Sequence, residues 1–541
     1  MQPIKSLAGV VLLAAASCCA HAAAPAGFCS AAALQSLQNE RLHVKTVSWL
    51  DGRDNPPGDV PPLGTGTDTT LTGFCRIEAS AFPTDDSLIN FEVWIPARAD
   101  WNGKLVSTGN GGTNPALQYN DMMFALRRGY ATVGGDTGHQ SQNIQWGRGH
   151  PEKIKDWGIR SIHVITVAAK AMVATLLDRQ PARSFYYGCS TGGHQGLTEV
   201  QLYPGDFDGV IAGDPANNWI RWSASSLWMY VANHAPGDNK PLVTRDWQGL
   251  IRDHVMQQCD ALDGRADGII EDPRQCTWQR MDFAALQCKD GQGGTQCLTT
   301  TQIGALHKMY QGLRHPVTGE QEYPGLMPGT EEAWGGVLGN APPRGDFWRY
   351  WVYDTDNFDI WHFDFADALR TADNRIGAMV DATNADLSAF RKRGGKLIVY
   401  HGWADPSVNP LDSVKYYEKV KSTMGSQAIM DEFYQLFLVP GMGHCGGGLG
   451  ATVFGNASLQ APHPTADNDM LMALERWLDT GKAPASLHSV EIRDDQVIST
   501  RLLCPWPRQG GPDAKSCHQQ PDADDRKVAT RPGSGTHANA E

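Results

Sequence analysis

The sequence predicts an α/β fold, a doubly wound sheet flanked by helices and interrupted by one large inserted lid. Three observations carry that reading: short apolar runs end in glycine-rich turns, helical patterns lie between them, and the alternation stops over one long stretch. The runs are "KLVSTGNGG" (104–112), "YATVGGDTGH" (130–139), "SFYYGCS" (184–190), "GVIAGDPANNW" (209–219), "KLIVYHGWADP" (396–406) and "FYQLFLVPGMGHC" (433–445). Each reads as a buried strand whose carboxyl end opens into a loop. Helical patterns include 161–180 and 467–484. In the second, Met470, Leu471, Leu474, Trp477 and Leu478 share one face and Gly481 provides a stop. In such a sheet, functional residues collect at the carboxyl ends of the strands.

The alternation breaks over 219–384, a stretch rich in Trp, Pro, Gly and Asp that holds four cysteines, which reads as the lid. At the start, Lys5 precedes an apolar run from Leu7 to Ala16, and Ala20-His21-Ala22 follows as a cleavage site. Residues 1–22 therefore read as a signal peptide. Cys18 leaves a lipoprotein reading open, against which Ala15 stands where a lipobox usually has leucine. No later segment approaches about 20 consecutive apolar residues, so no membrane span is expected and the mature chain is secreted or periplasmic. The polar, Pro/Gly-rich residues 519–541 read as a disordered tail. A formal net charge of −13 without clustered Lys and Arg argues against a nucleic-acid partner.

Of the twelve cysteines, Cys18 and Cys19 leave with the signal, and the remaining even number suits an oxidising compartment. Proximity suggests Cys259–Cys276, Cys288–Cys297 and Cys504–Cys517. No CxxC pair occurs, which weakens a zinc site.

Gly188-Cys189-Ser190-Thr191-Gly192 satisfies G-x-S-x-G between an apolar strand and a helical pattern. That setting turns the serine sharply and exposes its hydroxyl; the bland alternative is a tight turn without chemistry. A serine needs a base, and His444 follows an apolar strand and a Pro-Gly-Met-Gly turn. Asp405, beyond the strand at 396–400, can orient that imidazole. The order Ser190, Asp405, His444 is that of α/β-hydrolases. Cys189 precedes the serine and Cys445 follows the histidine, so a meeting of Ser190 with His444 predicts a Cys189–Cys445 bridge. Cys29–Cys75 then completes five.

The motifs "GCSTGG", "HGWADP" and "GMGHC", in that order, resemble the tannase/feruloyl esterase family, which includes the mono-hydroxyethyl-terephthalate hydrolases. The likeness runs from Cys29 to Cys517, with a similar bridge pattern. It implies an α/β-hydrolase core with a large lid, Ser190 as nucleophile, His444 as base and Asp405 as orienting acid. The catalytic domain is then 23–218 with 385–518, and the lid 219–384.

Oxyanion donors are expected at the N–H of Thr191 and at Gly111 or Gly112 in "GNGGTNP". In "CDALDGRADGIIEDPRQC", Asp260, Asp263 and Asp267 crowd one loop, a site for a hard cation or a solvated acidic turn. Carbonyls of Arg265 and Ile269 can complete an oxygen cage, and the resemblance favours structural calcium in the lid. Trp348, Trp351, Phe358 and Trp361 are candidates for an aromatic substrate pocket, or for lid packing. His401 either reaches substrate or is a satisfied strand-end histidine. The expected activity is hydrolysis of small aromatic, hydroxycinnamoyl-type esters. Tannase or terephthalate half-ester hydrolysis is the alternative, and an exported binding protein on the same scaffold is a second.

Overall fold

The computed structural model describes residues 28–51, 73–339, 341–511 and 514–519. The expected signal peptide lies outside these residues, as does the expected tail beyond Gln519, and Gln519 itself is in register with Arg508.

The six apolar runs form six adjacent parallel strands: β4 (Lys104–Thr108), β5 (Ala131–Gly135), β6 (Arg183–Cys189), β7 (Gly209–Gly213), β8 (Lys396–Gly402) and β9 (Tyr434–Val439). Before them, β1 (Leu42–Asp51), β2 (Gly73–Ala81) and β3 (Ile89–Pro96) extend one edge antiparallel. The nine-stranded order is β1-β2-β3-β5-β4-β6-β7-β8-β9. Both faces of the parallel part are covered, which is why its strands read as nearly unbroken apolar runs. Successive side chains go to opposite layers, as the pleat requires. Leu105, Tyr186, Val210, Leu397 and Val399 join one core, with Ile165, Ala169, Met172 and Val173 from helix α2. Val106, Phe185, Tyr187, Ile211, Ile398 and Tyr400 join the other, with Met470, Leu471, Leu474 and Trp477 from the C-terminal helix at Met470–Thr480. Each large apolar side chain sealed this way contributes about 2 kcal/mol.

The helices that place the site are α1 (Tyr119–Leu126), α2 (Ser161–Leu177), α3 (Thr191–Leu202) and α4 (Trp219–Ala232). Together with the turns before it, α2 makes a segment, Pro151–Leu177, long and apolar enough to cross a membrane; half of it is buried against the protein.

Between β7 and β8 the chain leaves the sheet and builds the lid. Its two apolar clusters gather around Trp219, Trp348 and Trp351, and around Ile251, Val255, Leu306 and Trp334. Five disulfides join Cys29–Cys75, Cys189–Cys445, Cys259–Cys276, Cys288–Cys297 and Cys504–Cys517. These are the pairs named from the sequence.

Candidate active site

Strand β6 ends against Ser190, which takes φ 65° and ψ −120° before α3 begins at Thr191. Left-handed φ at a non-glycine residue costs about 1–3 kcal/mol, so surrounding contacts must hold it. Here the Ser190 N–H donates to the Gly213 carbonyl at 2.9 Å, and the His194 N–H to the Ser190 carbonyl at 3.0 Å. A side chain at Gly193 would overlap the Gly213 carbonyl, so only glycine lets α3 sit this close to β7.

The other two groups arrive from β8 and β9. His444 Nε2 lies 2.9 Å from Ser190 Oγ, and its Nδ1 lies 2.7 Å from Asp405 Oδ2. A carboxylate can only accept there, so Nδ1 carries the proton and Nε2 is free to take one from the hydroxyl. Asp405 is buried, and its Oδ1 accepts the N–H groups of Ser407 (2.7 Å) and Val408 (3.1 Å). Burial pushes its carboxyl up, but the field and hydrogen bond of His444, with the nearby His401 ring, outweigh that and hold it well below the usual carboxylate range. Cys189 and Cys445, flanking Ser190 and His444, have Cα atoms 5.9 Å apart and are bonded. Left-handed φ recurs at Cys445 (65°) and Asp214 (38°), so three such residues surround one point.

Thr191 opens α3, so its N–H has no carbonyl of a preceding turn to bond. Gly111 and Gly112 follow β4, with no atom within 4 Å of where a side chain would begin on either. The turn is held against α3 by a residue the sequence reading missed: Gln195 Oε1 accepts the Asn110 N–H at 3.0 Å. Trp157 Nε1 donates to the Gly112 carbonyl at 3.4 Å, and Trp157 packs on Trp219 and Trp351.

The four lid aromatics take the second of their two expected roles, packing within the lid. Trp348 and Trp351 are 0% and 2% exposed inside the lid's aromatic core, and Phe358 and Trp361 pack at its edge. A cavity of about 250 Å³ beside Asp405 is lined by Trp222, Met229, Tyr323, Leu326, Arg344 and Ser407, among others, and neither Ser190 nor His444 is in its lining. The Arg344 guanidinium lies 3.3 Å over the Trp222 ring, and burial pushes it down to about 9. Among the described residues no carboxylate pairs with it. His401 takes the second of its two expected roles, a satisfied strand-end histidine: it is fully buried, with Nδ1 2.8 Å from Ser413 Oγ and Nε2 2.9 Å from the Val408 carbonyl.

Among the described residues two clusters of potential metal ligands come within 4.8 Å, Cys189/Asp214/Cys445 and Asp214/His401/Asp405. The cysteines of the first are spent in a disulfide, and both ring nitrogens of His401 have partners. In the acidic loop, Asp260, Asp263 and Asp267 do not form a third such cluster; each accepts a backbone N–H of its own loop, from Gly268, Arg265 and Ile269. Their chemistry still suits a hard cation. Glu271, paired with Arg501, is raised by burial and by repulsion from Asp263 and Asp267.

A family profile described as "Tannase and feruloyl esterase" matches residues 75–522. The chain is similar to a probable feruloyl esterase B-1 of Aspergillus flavus, 34% identical over 477 residues, covering 86% of this chain and 89% of that one. It is 35% identical over 510 residues to an uncharacterized esterase of Xanthomonas campestris, covering 86% of each. The crystal structure of feruloyl esterase B from Aspergillus oryzae superposes with a TM-score of 0.81 at 29% identity, over 90% of this chain and 98% of that one.

Proposed function

The chain belongs to the tannase and feruloyl esterase family of carboxylic ester hydrolases, and on that premise we propose that it cleaves small aromatic esters of hydroxycinnamoyl type through Ser190, His444 and Asp405. The observation that carries this reading is the relay from hydroxyl to imidazole to buried carboxylate, at 2.9 and 2.7 Å. His444 takes the Ser190 proton as the oxygen attacks the acyl carbon, and Asp405 stabilises the imidazolium. The N–H of Thr191, with that of Gly111 or Gly112, holds the oxyanion. Collapse expels the alcohol, which receives its proton from His444. Water then repeats the cycle on the acyl-enzyme and frees the acid.

Ser190→Ala is expected to keep the fold and lower kcat on methyl ferulate by about 10⁴-fold or more. Near-normal turnover in that variant would refute the assignment. A second reading, an ester whose acid part bears a free carboxylate, as in terephthalate half-esters, is favoured by Arg344, unpaired in an aromatic cavity beside the acid loop. A panel of feruloyl, galloyl and terephthaloyl esters separates the readings, the half-ester dominating if Arg344 sets specificity.

The catalytic domain in this reading is 23–218 with 385–518, and the lid 219–384. Calcium is proposed as a structural ion of the acidic loop, with Asp260, Asp263, Asp267 and the carbonyls of Arg265 and Ile269 as ligands. Export to the periplasm or medium is supported by five disulfides and the leader-like first residues.

A further inference from the structure

Asp214 lies one residue past the end of β7, and the hydrolysis described above does not use it. It is 0% exposed and held at φ 38°. Its N–H donates to the Tyr400 carbonyl at 2.8 Å, and its Oδ1 accepts the Gly402 N–H at 3.0 Å. The Cys445 N–H also bonds to its carboxyl. Its Oδ2 lies 3.4 Å from Cys189 Sγ, a disulfide sulfur with no proton to give. One side chain thus touches residues adjacent to the nucleophile and the base, and the strand that carries the acid.

It also faces the acid itself. One oxygen each from Asp214 and Asp405 and one ring nitrogen of His401 lie within 4.8 Å of one another. His401 Nε2 is 3.6 Å from Asp214 Oδ1 and 3.3 Å from Asp405 Oδ2, but its hydrogen faces the Val408 carbonyl. The Val408 carbonyl takes the Nε2 hydrogen and the Ser413 hydroxyl can donate to Nδ1, so both ring nitrogens have partners without an added proton. Among the described residues, the remaining titratable groups around this point are His444 across Asp405, the Tyr400 phenol near Asp214, the Tyr323 phenol towards Asp405 and the Asp412 carboxyl towards His401. Two carboxyls this close and sealed from water, with no Lys or Arg paired to either among the described residues, do not both ionise. Asp405 receives two backbone N–H groups and the His444 Nδ1–H on top of its contact with His401, so the anion belongs there. Asp214 keeps the proton; burial and repulsion from Asp405 push its carboxyl far up.

We propose that Asp214 is a positioning residue of this reaction: as a neutral acid it donates its O–H to the Asp405 carboxylate, and through Gly402 it ties the acid's strand, β8, to the end of β7, where the Gly213 carbonyl holds the Ser190 N–H. The inference rests on the triad reading above. The donated hydrogen bond draws charge from Asp405 and so limits how tightly His444 holds a proton. The Asp214 proton stays in place through the cycle, with His444 alone exchanging protons with Ser190, the leaving alcohol and water.

The experiment measures the pH profile of kcat/KM for ester hydrolysis in the wild type, Asp214→Ala and Asp214→Asn, with fluorophosphonate labelling of Ser190 alongside. In Asp214→Ala, kcat/KM is expected to fall by about tenfold or more and the acid limb to move up by about half a pH unit, because Asp405 loses a donor. Asp214→Asn, whose amide can still donate, restores both. An acid limb displaced downward by about one unit in Asp214→Asn overturns the proposal, because a negative charge would then have been removed. So does an alanine variant that loses thermal stability while keeping its acid limb and kcat/KM. Should the alanine variant not fold, infrared spectra of the wild type and Asp214→Asn carry the test. Because other buried acids also keep protons, the wild-type-minus-variant difference spectrum is read: a protonated-carboxyl band in the difference supports the proposal, and a difference without one overturns it. A wild type in which Ser190 is neither labelled nor needed for turnover overturns the triad and this inference together. A labelled, active wild type with unmoved variants overturns this inference alone.

Discussion

At the scale of single residues, the site depends on which nitrogen of one imidazole is protonated. Asp405 enforces that choice by offering His444 Nδ1 only an acceptor, while the Ser407 and Val408 N–H groups hold its other oxygen in place. Asp405→Asn preserves volume but can present an amide N–H, which favours the wrong tautomer. The expected result is a loss in kcat of about 10⁴-fold with little change in melting temperature, read from steady-state kinetics and a thermal scan. A loss below tenfold would mean that another group orients the ring. Residues of this kind were legible in the sequence when chemistry and position coincided: Ser190 between glycines, His444 after a glycine turn, Asp405 beyond a strand. Asp214 also ends an apolar run, "GVIAGDP", but its importance comes from facing another carboxylate, and no local pattern records that. Trp348 and Trp351 show the converse. Aromatic spacing in the lid marks residues that will be buried, yet cannot separate a packed core from an open pocket.

At the scale of elements, the parallel strands were legible because two covered faces require continuous apolar sequence, and their terminal loops inherit the chemistry. The antiparallel edge β1–β3 was not, although Phe74–Ala81 is largely buried. Its pairing is set by contact with β5 rather than by a turn motif of its own. The acidic loop of the lid is the element most exposed to experiment. If calcium neutralises Asp260, Asp263 and Asp267, chelation should lower the melting temperature. An ion present at a hundredfold over its Kd contributes about 2.7 kcal/mol. Esterase activity is expected to fall with the melting temperature, because Ile269 of this loop packs against Gly441 and Gly450 of the turn that carries His444. Unchanged melting, with no metal found by elemental analysis, would leave the loop a solvated acidic turn.

At the scale of the whole molecule, buried acids set how stability follows pH. Burial raises Asp121 and Asp412 to about 6, and Asp381 and Glu331 to about 7. Their folded forms keep protons that the unfolded chain releases near its ordinary carboxylate range. The stability they add is therefore full at low pH and lost as pH rises through about 6 to 7. His139 and His194, lowered by burial to about 4, act oppositely below their unfolded value but are outnumbered, and above about 6.5 they no longer contribute. The melting temperature is expected to be higher at pH 5 than at pH 8, and the reverse order would show that these acids are solvated. The Cys189–Cys445 bond also changes what a broken chain means. It spans a sequence separation of 256, and the whole lid lies within the ring it closes. A protease that nicks any single peptide bond inside that ring makes two ends but no separate pieces, since the fragments stay joined beside Ser190 and His444. Clipping an exposed lid loop would then leave one covalent molecule with the Ser190 and His444 loops still facing each other, until a reductant released them.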